Sequence, residues 1–280
     1  MTKLEYGQNV ADLQGFRLDR QRLLKQAEQL SSKYAGAESY PHIIIDDFLP
    51  SELLDAVIDE YPDPDEPFWM KMHHNNSRKL ALNAIQFMGP VTVNLFNTLN
   101  SAPFLEFLEI LTGISPLISD PRLEGGGLHQ IERNGFLKIH ADFNVHPLYK
   151  LDRRLNLLIY LNKDWEEAYG GHFELWDREM SRCIEKILPT FNRMVVFSTT
   201  DYSYHGHPDP LTCPPDRCRR SLALYYYTNG RPEEEKSATH STLYQQRPKE
   251  TPTLHERLPS KVRAKLRRVL PPILADYMKL

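Results

Sequence analysis

The amino-acid sequence predicts a mainly β fold with flanking helices, an α+β arrangement in which a helical N-terminal half cradles a β core at about 125–230. Two observations carry this. From Leu128 the apolar pattern takes a period of two, in short segments separated by Gly, Pro and Asn turns, which suits an antiparallel sandwich or barrel. Before that point apolar residues recur mainly at helical spacing.

Leu18, Leu23, Leu24, Ala27 and Leu30 lie among charges within 16–35 and predict an amphipathic helix on the outside of the main domain. Ser39-Tyr-Pro-His breaks the pattern, and Ile43 to Leu49 reads as a strand. Pro50-Ser51 starts a helix from Leu53 to Tyr61, with Ser51 as its N-cap. Residues 63–67 form a loop rich in proline and acid, and 77–90 fits helix and strand equally. Val91 to Thr112 reads as a helix pair broken at Ser101-Ala-Pro103. Residues 117–121 read as a loop, and Gly125-Gly-Gly127 leads into the sheet. Strands are expected at Leu128–Glu132, Phe136–Asp142, Leu155–Leu161, His172–Trp176, Arg193–Ser198 and Ser221–Thr228, with a turn at Arg133-Asn-Gly135. There is no internal repeat.

Composition limits the function classes. The chain has 280 residues, 41% of them hydrophobic and 25% charged, enough for one large domain or two small ones. No apolar run is long enough to span a bilayer, and Met1-Thr-Lys-Leu-Glu-Tyr-Gly lacks a signal-peptide core. The net charge of −3 gives no footprint for nucleic acid. Three cysteines are too few for a disulfide framework, and Cys213 and Cys218, with Pro214-Pro215 between them, are poorly spaced for zinc. The expectation is a cytoplasmic protein with free thiols. The last thirty residues differ. Lys261, Arg263, Lys265, Arg267 and Arg268 oppose Val262, Leu266, Val269 and Leu270, predicting a basic helical tail that either docks on its own domain or meets a membrane surface or protein partner.

The chemistry centres on Gly135-Phe-Leu-Lys-Ile-His-Ala-Asp142. On a strand, His140 and Asp142 face the same way. His205, in Tyr202-Ser-Tyr-His-Gly-His-Pro208, would complete a set of two histidines and one carboxylate, which leaves half an octahedral ion open and suits non-haem Fe(II). His205 and His207 share parity. His205 is favoured because it follows the apolar strand directly, whereas His207 precedes Pro208, and Gly206 between the two permits a bend that would carry His207 away.

Arg219, Ser221 and Ala223 share one face of a later strand, and Leu222 and Leu224 the other. A guanidinium with a neighbouring hydroxyl can grip a carboxylate, so Arg219 and Ser221 read as an anchor for one. Arg220 reads as a surface residue. Tyr160 offers a phenol to the same carboxylate or packs in the core. Gly170-Gly171 permits a tight turn. Lys138 and His172 are lesser candidates for substrate contact. His129 and His146 read as ordinary histidines, and Trp165 and Trp176 as packing.

The order His140-x-Asp142, Arg154-x-Asn156, Tyr160-Leu-Asn-x-x-Trp165, Gly170-Gly171, His205, Arg219-x-Ser221 resembles the prolyl-4-hydroxylase-like branch of the Fe(II)/2-oxoglutarate dioxygenases. The resemblance covers roughly residues 40–230 and includes Ile43-Ile-Ile-Asp-Asp-Phe-Leu-Pro50. It implies a double-stranded β-helix core of jelly-roll or cupin type, with Fe(II) on His140, Asp142 and His205 and 2-oxoglutarate on Arg219, Ser221 and Tyr160. The implied activity is hydroxylation of an unactivated C–H bond in a peptidyl, amino-acid or small-metabolite substrate, using O2 and releasing succinate and CO2. The resemblance also allows ascorbate as a further cofactor. The matching organisation is an N-terminal helical extension at 1–38, a dioxygenase domain at 39–230 and a basic tail at 231–280. One departure is the long insert Pro208–Cys218, which reads as a lid together with the acidic 63–67 loop. The rival reading is a β-helix binding or metal-dependent sugar-modifying protein that uses no 2-oxoglutarate; it has no need of Arg219-x-Ser221.

Overall fold

The computed structural model describes residues 15–248 and 250. Among them, strands β1 (His42–Asp46), β2 (Met70–His74), β3 (Ser77–Leu82), β4 (Ile118–Ser119), β5 (Gly127–Ile131), β6 (Phe136–Ala141), β7 (Asp152–Tyr160), β8 (Phe173–Trp176), β9 (Cys183–Ile187), β10 (Arg193–Ser198), β11 (His205–His207), β12 (Arg219–Thr228) and β13 (Leu243–Tyr244) join one curled sheet. Its order is β1-β10-β7-β12-β5-β3-β6-β11-β8-β9, with β2 on β3, β4 on β12 and β13 on β6. The described pairings are antiparallel.

Side-chain alternation explains why this sheet is covered on both faces. Leu155, Leu157 and Ile159 of β7, Met194 and Val196 of β10, and Leu222 and Leu224 of β12 share one core with Leu53, Leu54 and Val57 of α2 (Ser51–Asp59), Leu95 and Leu99 of α3 (Pro90–Leu99), and Phe104, Phe107 and Leu111 of α4 (Ala102–Thr112). The intervening residues Leu158, Tyr160, Val195 and Phe197 pack instead with Phe173 and Leu175 of β8. Each fully buried Leu or Phe contributes roughly 1.5–3 kcal/mol relative to exposure. Helix α1 (Arg20–Ala35) is capped by Asp19, whose carboxylate accepts from Arg22 N at 3.1 Å, and buries Leu23, Ala27 and Tyr34. The Tyr34 and Ser198 hydroxyls then bond at 2.7 Å, tying the helix to β10.

Several expectations need correction. The N-terminal half is not simply helical, because β1 to β4 lie within it and β1 and β3 sit on the main path of the sheet. Ser51 is the first helical residue of α2 and caps nothing; Pro50 holds the N-cap position without a side-chain bond. The 77–90 stretch divides into β3 and a 3-10 turn at Ile85–Phe87. His207 remains in β11, with a register shift between it and His205. Residues 231–248 run mostly as an extended strap. In it, β13 pairs with His140 and Ala141, Gln245 N donates to Ile139 O at 2.8 Å, and Arg247 forms a bidentate pair with Asp209. The basic helix expected near the C-terminus lies outside the described residues.

Candidate active site

Strands β6 and β11 lie side by side with His140 opposite His205, their rings 4.4 Å apart between centroids. Asp142 stands one residue beyond β6, on the face of His140. Its Oδ1 lies 3.6 Å from His140 Nε2 and its Oδ2 lies 3.3 Å from His205 Nε2. One ligand atom from each of the three residues falls within 4.8 Å of the others. His140 Nδ1 meets Lys138 O at 2.8 Å and His205 Nδ1 meets Ser203 O at 2.8 Å. Carbonyls only accept, so each Nδ1 carries the proton and each Nε2 turns a free lone pair toward Asp142.

Asp142 Oδ2 is itself held, accepting from Arg153 at 3.0 Å and from Asn156 Nδ2 at 2.6 Å. Burial alone would raise the Asp142 pKa, but the Arg153 guanidinium outweighs it and keeps the carboxyl well below the usual range. Arg153 lies buried between Phe143, 4.4 Å from the ring centroid, and Tyr225, at 3.5 Å. Sequence parity hid this residue. A bulge in β7, where Tyr226 faces Leu155 and Tyr227 faces Arg153, turns Arg153 away from the face that alternation assigns it.

A cavity of about 70 Å³ runs inward from the three residues and is lined also by Asn156, Lys79, His129, His207, Arg219, Ser221 and Tyr225. Arg219 is buried, donates from Nε to Gly171 O at 2.8 Å and from Nη2 to Tyr160 Oη at 3.3 Å, and meets no carboxylate among the described residues. Gly171 is required there. Its φ is +71°, and a Cβ would come within 2.5 Å of Leu211 and 3.0 Å of Arg219. Burial raises the Tyr160 pKa against the nearby guanidinium, so the phenol keeps its proton. Arg220 points to the opposite face, donates to Gln130 at 2.9 Å and lies over Tyr61.

Of the residues singled out from the sequence, His140, Asp142, His205, Arg219 and Ser221 line this one cavity, and Tyr160 supports Arg219 from behind. Three others are placed elsewhere. Lys138 pairs with Glu250 at 3.5 Å, His172 bonds Glu167 at 2.6 Å, and buried His146 lies 3.5 Å from Asp120. His129 is not the ordinary histidine expected, because it faces the cavity. The 208–218 insert is no lid. Leu211 and Cys213 pack against Ile131 and Trp165, and neither the insert nor the 63–67 loop lines the cavity.

Residues 126–227 match the family model described as the 2OG-Fe(II) oxygenase superfamily. Among solved structures, a prolyl hydroxylase from Trichoplax adhaerens, in complex with a hypoxia inducible factor oxygen degradation domain peptide fragment, superposes with a TM-score of 0.52 at 15% identity. That match covers 74% of this chain and 91% of that one. A Pseudomonas putida prolyl-4-hydroxylase gives 0.47 at 16% identity over 73% and 100%. HygX from Streptomyces hygroscopicus, with nickel, 2-oxoglutarate and hygromycin B bound, gives 0.46 at 13% identity over 74% and 94%. At these identities the likeness speaks to fold alone. No curated protein matches the sequence.

Proposed function

Residues 126–227 belong to the 2OG-Fe(II) oxygenase superfamily, and from that premise we propose that the chain hydroxylates an unactivated C–H bond through the cavity behind His140, Asp142 and His205. The observation that carries the site assignment is the pairing of two features in that cavity. Three metal-competent atoms lie at one end, and a buried arginine with no carboxylate partner among the described residues reaches in beside Ser221.

The donor set fits a divalent first-row ion. Two neutral imidazoles present Nε2 lone pairs, a carboxylate is kept ionised, and the side of the cavity remains open to other ligands. His140, Asp142 and His205 would hold Fe(II), which with 2-oxoglutarate and O2 supplies the oxidising chemistry. Every other task falls to the chain. Lys138 O and Ser203 O fix the imidazole tautomers, and Arg153 with Asn156 fixes the carboxylate. Arg219, backed by Tyr160 and Gly171 and flanked by Ser221, offers charged donors to the far carboxylate of 2-oxoglutarate. Phe173, Phe197 and Leu158 line the cavity and exclude water.

On this reading the core is a double-stranded β-helix, and 39–230 is the dioxygenase unit. No described helix is long and apolar enough to cross a membrane. The free thiols of Cys183, Cys213 and Cys218 support a cytoplasmic setting. Both a peptide, as in the Trichoplax complex, and a small molecule, as in HygX, are consistent substrate classes. The rival, a binding or sugar-modifying protein without 2-oxoglutarate, leaves the buried charge of Arg219 unused. Anaerobic addition of Fe(II) and 2-oxoglutarate should give a weak visible charge-transfer band. Folded, iron-loaded protein that shows none at saturating 2-oxoglutarate would refute the assignment.

A further inference from the structure

A second cavity, of about 790 Å³, lies where β7 begins and β10 and β12 end. It shares no lining residue with the cavity behind His140, Asp142 and His205. Its volume falls within the roughly 300–1,000 Å³ of small-molecule sites. Strands β7, β10 and β12 bring Arg154, Ser198 and Thr228 to it, and the loops after β10 and β12 add Thr200 and Arg231.

Arg154 gives this space its chemistry. Its side chain is 9% exposed, and a charge taken so far out of water needs a partner. That partner is Glu235, whose Oε2 accepts from Nη2 at 3.0 Å. The pair is lopsided. The Glu235 side chain is 39% exposed and stands on a 3-10 turn of three residues, Glu233–Glu235. A carboxylate that open to water recovers little of what burying its cation costs. The guanidinium is also under-used. Of its five N–H donors, Nη2 serves Glu235, Nη1 reaches only Thr228 Oγ1 at 3.4 Å, and Nε meets no acceptor among the described residues. Arg231 adds a second cation to the wall. Its side chain is 3% exposed, with Nη2 donating to Arg153 O at 2.6 Å and Nε 3.5 Å from Asp152 Oδ1.

Charge balance indicates what the space takes. With Glu235 in place, two guanidiniums meet two carboxylates. With Glu235 turned out to solvent, one guanidinium is left facing a cavity lined by hydroxyls. Thr200 Oγ1, for instance, accepts from Tyr202 N at 3.3 Å and keeps its own proton to give. Guanidinium and hydroxyl donors together suit an oxyanion. We propose that this cavity is a second ligand site, for a small molecule bearing a carboxylate or phosphate, and that Glu235 is the chain's own occupant, displaced from Arg154 when that ligand binds. The proposal does not depend on the chemistry at the metal end.

The test uses full-length protein saturated with Mn(II) and 2-oxoglutarate, so that Arg219 is already engaged. A ligand that binds only the folded chain raises its melting temperature. Acetate or methyl phosphate at about 50 mM should raise that of the parent by about 1 °C or more over neutral acetamide with chloride at equal ionic strength. Glu235→Gln, which removes the competitor, should respond by about 3 °C or more. Arg154→Met placed on Glu235→Gln should lose the response. A shift with acetate alone assigns a carboxylate ligand and a shift with methyl phosphate alone a phosphate, and either supports the site. No shift in the parent with either probe, equal shifts in the parent and Glu235→Gln, or a shift that survives Arg154→Met would each overturn the proposal. The comparison of the parent with Glu235→Gln alters no buried side chain, so it decides the matter where Arg154→Met does not fold.

Discussion

Arg153 donates a 3.0 Å hydrogen bond to Oδ2 of Asp142 from a guanidinium enclosed by the rings of Phe143 and Tyr225. Asn156 Nδ2 reaches the same oxygen, so the carboxylate is fixed in position without using Oδ1. Removing one partner of a buried pair leaves the other uncompensated, which costs about 3–5 kcal/mol. Arg153→Met should therefore lower stability by that amount in a urea titration of the metal-free protein. Loss of the residue orienting a metal ligand typically costs about ten- to a hundred-fold in metal affinity. Mn(II) affinity should fall in that range. A variant with the parent's stability and metal affinity would show that Asn156 alone holds Asp142.

Arg219 and Arg220 are adjacent on β12 and face opposite ways, one into the cavity and one over Tyr61 beside Gln130. Arg219→Ala should weaken 2-oxoglutarate binding by on the order of 2–4 kcal/mol, as loss of a buried charged contact does. Metal binding should survive in that variant. Arg220→Ala should change the 2-oxoglutarate affinity little. Equal losses in the two would contradict the register that pairs Ser221 with His129 and Tyr160.

Much of this site was legible in the sequence because period-two alternation is a local rule. It places His140 with Asp142 and Arg219 with Ser221 on shared faces, and the structure brings all four to one cavity. What stayed hidden depends on irregularity or on long-range pairing. Arg153 reaches Asp142 only because a bulge in β7 reverses its parity. Lys79 sits in a segment whose pattern fits helix and strand equally, and its β3 strand becomes a cavity wall only by pairing with β5 and β6. The Gly206 bend expected to carry His207 out of the strand is taken up as a register shift, so His207 stays in the cavity. The insert at 208–218 looked like a lid because length and proline content say nothing about direction, and Leu211 and Cys213 turn it to the core.

The cysteines give a prediction that depends on pH. Burial pushes the thiols of Cys183 and Cys218 up to about 11, from an ordinary value of 9.0. At pH 7.5 their thiolate is then about a hundred-fold scarcer than in an unperturbed thiol, and the greater nucleophilicity of a more basic thiolate recovers roughly ten-fold of that. Iodoacetamide should alkylate them about ten-fold more slowly in native protein than in urea, with the native rate still climbing at pH 10. Mass spectrometry of the alkylated peptides reads each site separately. A native thiol that reacts at the unfolded rate at pH 7.5 would show that its burial is not maintained in solution.

His205 and His207 share β11, both are buried, and both line the cavity, so neither exposure nor strand membership tells which one completes the metal set. Three geometric facts separate them. His205 stands opposite His140, whereas the register shift sets His207 opposite Leu137, toward the inner end of β6. Ser203 O takes the Nδ1 proton of His205 and turns Nε2 to Asp142 at 3.3 Å; His207 has no such partner to fix its tautomer. His205 is also braced by Phe173 and Phe197, with ring centroids 5.5 and 4.7 Å away. A metal ligand needs a fixed ring and a free lone pair, and only His205 shows both. His205→Ala should abolish tight Mn(II) binding and all succinate formation while keeping the parent's circular dichroism spectrum. His207→Ala should bind one Mn(II) per chain and keep part of its turnover. If metal binding follows His207 instead, the third ligand moves two residues along β11, to the position opposite Leu137 of β6.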